Sequence, residues 1–200
     1  VNGGPNEFLP LAPGMTHPII TALSADGTTT VGYVNGYGGG GRAVTWTGTS
    51  TAVMLPNLPG EANAQALGVS ANGSVVVGWS GQGYGGSNIP VRWVNGQVES
   101  LGLPPECNWA WASGVADDGN TIIGWGWVVG GASRAWRWTP QDGMTLLSPD
   151  WAEARSISGD GRTIAGRSAA GSVVWHDGTR LDVQSLIPAA TNLSPFTGLT

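Results

Sequence analysis

Gly68-Val69-Ser70-Ala71-Asn72-Gly73-Ser74-Val75-Val76-Val77-Gly78 spells a hairpin: an apolar run, an Asn-Gly turn, then a β-branched run that stops at glycine. Asn-Gly and Asp-Gly between apolar runs tolerate the positive φ of a tight turn and are the strongest short-range hairpin signal. The phrase returns as Ala22-Leu23-Ser24-Ala25-Asp26-Gly27-Thr28-Thr29-Thr30-Val31-Gly32, as Gly114-Val115-Ala116-Asp117-Asp118-Gly119-Asn120-Thr121-Ile122-Ile123-Gly124, and as Ser156-Ile157-Ser158-Gly159-Asp160-Gly161-Arg162-Thr163-Ile164-Ala165-Gly166. Gly27, Gly73, Gly119 and Gly161 stand 46, 46 and 42 residues apart, and Gly32, Gly78, Gly124 and Gly166 keep the same step. A period of that size marks a repeat architecture, in which one unit cannot bury its apolar face alone.

Beyond each hairpin the unit continues. In the second copy, Pro90-Val91-Arg92-Trp93-Val94 predicts a third strand, Asn95-Gly96 a second turn, and Gln97-Val98-Glu99-Ser100-Leu101 a fourth strand. The third-strand tryptophan recurs as Trp46, Trp93, Trp138 and Trp175. No segment sustains apolar spacing at three and four residues, so helices are not expected. Four short strands repeated at about 46 residues describe a propeller blade. The expected fold is therefore all-β, a four-bladed β-propeller of four-stranded repeats over residues 20–64, 65–110, 111–154 and 155–188, within one domain spanning 1–200. A β-solenoid is the alternative, although its rungs are shorter and seldom carry two tight turns each.

The ends do not fit the count. Phe8-Leu9-Pro10-Leu11-Ala12-Pro13-Gly14 resembles Met54-Leu55-Pro56-Asn57-Leu58-Pro59-Gly60, and Pro10 precedes Gly27 by the same interval as Pro56 precedes Gly73. Residues 1–19 thus read as an extra strand that either closes the ring or is donated to a neighbour, with Phe8, Leu9, Pro10 and Leu11 as the candidate assembly strand. Residues 189–200 read as a C-terminal tail.

These residues resemble the HAF-type extracellular repeat family of bacteria, whose repeat runs Gly-Ile-Ser/Asn, two residues, Gly, two residues, Val-Gly, a gap, then His-Ala-Phe-x-Trp. The first half is matched in all four copies. The second half is matched at Arg42-Ala43-Val44-Thr45-Trp46 and Arg134-Ala135-Trp136-Arg137-Trp138, and only at its Trp end by Pro90-Val91-Arg92-Trp93 and Ser172-Val173-Val174-Trp175. The family histidine is absent from every copy, and Val or Trp replaces its phenylalanine. The resemblance covers about residues 20 to 185 and implies secretion and a role at the bacterial cell surface, with no enzyme activity attached.

Composition narrows the partners. The chain has 200 residues, Gly 34 and Pro 13, but 11 Trp argue against a disordered low-complexity segment. Lysine is absent, and a net charge of −5 gives no electropositive surface for nucleic acid or anionic lipid. No apolar run reaches the length of a transmembrane helix. Val1-Asn2-Gly3-Gly4 carries neither the basic start nor the apolar stretch of a signal peptide. Cys107 stands without a second cysteine, which leaves no disulfide framework and points to a small buried apolar residue.

The sharpest candidate residues are tryptophans surplus to the repeat: Trp79, Trp109, Trp111, Trp125, Trp127 and Trp151. Trp109 and Trp111 lie two apart, as do Trp125 and Trp127, so on strands each pair shares a face. Such platforms suit sugar rings or a subunit interface. The turn residues Asp26, Asp117, Asp118 and Asp160 are explained by turn chemistry and predict no metal. Neither Gly36–Gly41 nor Gly81–Gly86 ends in Gly-Lys-Ser/Thr, so no cofactor is predicted. No carboxylate pair or activated nucleophile stands out as catalytic. The expectation is a non-enzymatic extracellular structural or adhesive repeat protein that self-associates into oligomers or filaments. The alternatives are a carbohydrate-binding propeller and, third, a polysaccharide-cleaving enzyme.

Overall fold

Each repeated phrase closes on itself through its polar residues. In the computed structural model, which describes residues 9–34, 41–83 and 86–186, Ser24 Oγ donates to Asp26 Oδ1 at 2.6 Å. The same carboxylate accepts from the Thr28 N–H at 2.9 Å, and the Thr29 N–H donates to Ser24 Oγ at 2.9 Å. Ser70 and Asn72 repeat the arrangement, as do Ser158 and Asp160. In the third copy Asp118 still caps the Asn120 N–H at 2.9 Å, although Ala116 stands where the serine would be. Only the glycine of each turn has positive φ, +72° to +76°, so these are Asx-type turns and not the type I′ turns the dipeptide suggests. The type I′ pattern appears in the later turns, where Asn95 and Gly96, or Asp177 and Gly178, are both positive.

The glycine that ends each phrase has a different cause. A Cβ on Gly32, Gly78, Gly124 or Gly166 would sit 1.9–2.0 Å from the carbonyl oxygen of Ile19, Gln65, Trp111 or Glu153 across the strand pair. The contact is with backbone and cannot yield. In all four sheets a β-bulge in the first strand lies beside this glycine, between Ile20 and Ala22, Ala66 and Gly68, Ala112 and Gly114, and Ala154 and Ser156.

The strands form four antiparallel meanders. The first sheet contains β1 (Ile19–Leu23), β2 (Thr29–Val34), β3 (Arg42–Thr47) and β4 (Val53–Met54); the second, β5 (Asn63–Val69), β6 (Val75–Gly81), β7 (Asn88–Val94) and β8 (Gln97–Ser100). The third contains β9 (Cys107–Val115), β10 (Ile122–Val128), β11 (Ala132–Thr139) and β12 (Gly143–Leu146); the fourth, β13 (Ala152–Ile157), β14 (Thr163–Ser168), β15 (Gly171–His176) and β16 (Thr179–Asp182). A 3₁₀ turn follows at Val183–Leu186. The expected repeat boundaries at 64/65, 110/111 and 154/155 fall inside β5, β9 and β13. Those strands begin earlier, and their first residues, such as Ala64 and Ala110, are already fully buried.

Each joint between sheets has its own apolar cluster. Val31, Ala43 and Leu55 of the first sheet meet Ala64, Ala66, Val76 and Trp93 of the second. Val75 and Val77 meet Ala112, Ile122 and Trp136 at the next joint, and Ile123 and Ala135 meet Ala154, Ile164 and Trp175 at the third. Backbone bonds run turn to turn across the joints, from Asp26 N to Ala71 O, Ala71 N to Asp117 O and Asp117 N to Gly159 O. Thr21 Oγ1 and Ser113 Oγ add bonds to the Ala66 and Ala154 carbonyls of the following sheet at 2.7 and 2.8 Å. Among the described residues, no contact of comparable extent joins the fourth sheet to the first.

Trp46, Trp93 and Trp175 are fully buried, as the repeat predicts. Their indole N–H groups donate to Pro10 O, Pro56 O and Leu147 O, each at the end of the preceding unit. The third sheet departs from the pattern. Trp136 takes the buried place, and Trp138 is half-buried with the Arg92 guanidinium 4.7 Å from its ring centre.

The N-terminal segment is corrected in one respect. Leu9, Pro10 and Leu11 form no strand; they lie against their own first sheet, with Leu9 and Leu11 packed on Val44 and Trp46. Pro10 has no N–H for a ladder, and its carbonyl accepts from both Ala52 N and Trp46 Nε1. Phe8 and the tail 189–200 lie outside the described residues.

Candidate functional site

Strand register decides which surplus tryptophans meet. Counting back from the terminal glycine of each phrase, Gln65, Trp111 and Glu153 are equivalent, and their cross-strand partners are Trp79, Trp125 and Arg167. Trp109 faces Trp127 one step further along the third sheet. Trp109, Trp111, Trp125 and Trp127 therefore form one cluster on β9 and β10. The ring centres of Trp111 and Trp125 are 4.5 Å apart at 77°, and Trp109 and Trp127 lie parallel within 4° at 5.9 Å. These are the edge-to-face and offset geometries that the ring quadrupole favours. All four remain half-buried.

The cluster faces the fourth sheet. There Arg155 places its guanidinium 5.2 Å from the Trp125 ring centre, and Arg167 lies 5.4 Å from that of Trp151. Between the two arginines is Glu153, only 2 % exposed. It accepts two bonds from Arg167 at 2.8 and 3.0 Å, one from Arg155, and one from Ser133 Oγ at 3.3 Å. Burial raises the pKa of this carboxyl, but the bonds and charges of Arg167 and Arg155 outweigh it, and the pKa falls below its ordinary value. The triad keeps one surplus positive charge.

A cleft of about 490 Å³ opens over this edge, lined by Gln65, Leu67, Trp79, Asn88, Trp111, Ser113, Trp125 and Arg155. Its walls come from the first strands of the second, third and fourth sheets, with Trp79, Trp125 and Asn88 behind them. Trp111 Nε1 is buried and has no acceptor within the protein. Asn88 Oδ1 is committed to the Gly83 N–H. The chemistry on offer is flat apolar ring surface beside one cation and a few hydrogen-bonding groups, which suits a ligand that is apolar on its faces and polar at its edge.

The candidates thus divide. Trp111, Trp125 and Trp79 line the cleft, with Trp79 buried in its floor at 4 % exposure. Trp109 and Trp127 extend the aromatic surface beside it. Trp151 lies against Arg167 and does not line the cleft. Sequence reading missed Gln65, Arg155 and the Glu153 triad. Aligning the repeats on Gly78, Gly124 and Gly166 would have set Gln65 and Glu153 level with Trp111.

Elsewhere, the turn carboxylates are occupied as caps. The pKa of Asp26 is lowered by the Ser24 hydroxyl and the Thr28 N–H, and that of Asp160 by Ser158 and the Arg162 N–H. Among the described residues no three His, Cys, Asp or Glu side chains converge as a metal site, and no helix is long and apolar enough to cross a membrane. Burial pushes the Cys107 thiol up to about 11.

No family model and no curated protein matches the chain. Solved structures do. TolB from Acinetobacter baumannii matches at 18% identity with a TM-score of 0.56, over 78% of this chain and 40% of that one. A provisionally assigned TolB from Agrobacterium tumefaciens matches at 15% identity and 0.53, over 78% of this chain and 54% of that one. A structure from a study of two prolyl endopeptidases matches at 11% and 0.56, over 82% of this chain and 28% of that one. The chain therefore spans about half or less of the proteins it resembles. At these identities the likeness establishes the propeller-like fold and nothing about activity.

Proposed function

We propose that the chain is a non-enzymatic adhesive module of a bacterial cell surface, and that it adheres by binding saccharides in the tryptophan cleft between the second, third and fourth sheets. The observation that carries the reading is the convergence of Trp111, Trp125 and Arg155 from two sheets onto one cleft. Pyranose rings present apolar C–H faces to an indole and hydroxyls to its rim, where the half-exposed Arg155 guanidinium supplies donors. The surplus charge of the Glu153 triad favours sugars that bear a carboxylate. The non-enzymatic part rests on the lining, which contributes no carboxylate, and on Glu153, whose oxygens are held by two arginines. The cell-surface part rests on the resemblance to the HAF-type repeat.

The test is titration of the chain with neutral and uronate-containing oligosaccharides, followed by tryptophan fluorescence and calorimetry. Trp125→Ala should weaken binding roughly tenfold, and Trp125→Phe should recover part of the loss. Uronates should bind more tightly than neutral sugars and lose that advantage in high salt. Unchanged affinity in Trp125→Ala and Trp111→Ala would remove the cleft from the account.

A further inference from the structure

The three joints within the chain share one arrangement of large and small residues, and the two free ends complete it in reverse. Ile20, Ala66, Ala112 and Ala154 are equivalent: each pairs with the terminal glycine of its phrase, Gly32, Gly78, Gly124 or Gly166. Ala66, Ala112 and Ala154 are fully buried, sharing apolar clusters with Val31, Val77 and Ile123 of the preceding sheet. Small residues on the rear of one sheet thus receive β-branched residues from the front of the sheet before it.

At the free rear of the first sheet the small residue is replaced by Ile20, 55% exposed, with Leu23 beside it at 59%. Val69, Val115 and Ile157, which correspond to Leu23, are packed into the joints. The turn glycines report the same bare face. A Cβ on Gly73, Gly119 or Gly161 would meet Thr29, Val75 or Thr121 of the preceding sheet, but one on Gly27 would meet nothing within 4 Å. At the free front of the fourth sheet, the position of Val31, Val77 and Ile123 is taken by Ala165, which is exposed. Ser172, also exposed, stands where Ala43 and Ala135 are buried.

We infer that the rear of the first sheet docks onto the front of the fourth sheet of a second copy, Ile20 seating against Ala165. Over β1 and β2 the joint continues the interface already built three times within the chain, with its large and small partners exchanged; at β3 Leu9 and Leu11 already cover Val44 and Trp46. An exposed apolar patch on a protein surface marks an interaction site. The contact is heterologous, so copies join head to tail and give a closed ring or an open filament according to the rotation per copy. This assembly is independent of the saccharide cleft.

The experiment measures association of the full chain by sedimentation velocity across a concentration series, with circular dichroism to confirm folding of each variant. Concentration-dependent oligomers are expected from the unaltered chain. Ile20→Ala leaves a void and Ala165→Val overfills the joint, so each should weaken association roughly tenfold. The double variant rebuilds the in-chain pairing of alanine with valine and should recover association. Ile20→Glu and Ala165→Glu should each block one end, and an equal mixture of the two should stop at a dimer. A monomer at every concentration would overturn the inference and leave the bare face to a further sheet of a longer chain. Oligomers that ignore all these substitutions, or losses that simply add in the double variant, would overturn it too.

Discussion

Glycine carries two separate duties in this repeat, and they predict different costs. The terminal glycines are excluded from bearing a side chain by a carbonyl oxygen 1.9–2.0 Å from where Cβ would be. The turn glycines share φ near +75°, so alanine at any of them incurs a left-handed penalty of about 1–2 kcal/mol. Their surroundings differ: at Gly119 a Cβ would lie 2.6 Å from Val75 Cγ2, and at Gly27 it would lie in open space. Gly119→Ala should therefore destabilise the chain by about 1–3 kcal/mol more than Gly27→Ala, the added cost of overpacking. Urea unfolding of the two variants at a concentration where the chain is dissociated measures the difference. Equal values would mean that Val75 yields freely to a side chain at Gly119 in the joint between the second and third sheets.

At the level of the strand, β13 joins fold and site. Glu153 is its second residue, buried at the level where the third sheet carries Trp111, and it is neutralised by Arg155 on the same strand and Arg167 on β14. Its folded pKa lies below the ordinary glutamate value of about 4.5. A depressed carboxyl contributes stability that is present above its unfolded pKa and is lost as pH falls through the lower folded value. The chain should thus lose stability on acidification below about pH 4.5. Glu153→Gln should flatten that acid limb. At neutral pH it should cost about 2 kcal/mol, less than for a fully buried pair because both guanidinium groups stay partly solvated. Thermal melts of both chains from pH 7 to pH 3 test this; parallel curves would exclude Glu153 as a source of the acid limb. The same strand shows where sequence reading ran out. Hairpins, third strands and the buried Trp46, Trp93 and Trp175 were legible because the repeat states them four times over. Arg155 and Glu153 were not, because a departure from a repeat becomes visible only when strands are set in register. Nor could the sequence say that Trp136, not Trp138, would take the buried place in the third sheet, since both lie on one face of β11. The fate of Leu9, Pro10 and Leu11 was equally hidden: likeness to Leu55 and Pro56 gave their place in the unit but not which sheet they would cover.

For the molecule as a whole, stability is distributed along a row of sheets, each bound to its neighbours by one apolar cluster and one turn-to-turn bond. In such a row stability is close to a sum of unit and nearest-neighbour terms. The second and third sheets have a joint on each side, but the first and fourth have one each within the chain. Hydrogen exchange in dilute solution should accordingly show the strongest protection in β6 and β10, and weaker protection in β1, β2, β14 and β15. The N-terminal segment packed on Trp46 moderates this at β3, where it fills part of the place that a preceding sheet would occupy. If a second copy docks at Ile20 and Ala165, protection at β1 and β14 should rise with protein concentration while β6 and β10 stay constant. A saccharide in the cleft should instead protect β9 and β13 at any concentration, because its walls belong to those strands. The two responses fall on different strands and answer to different variables, so one exchange experiment separates assembly from binding. Uniform protection across all four sheets in dilute solution would contradict the additive row and call for a closing contact between the first and fourth sheets.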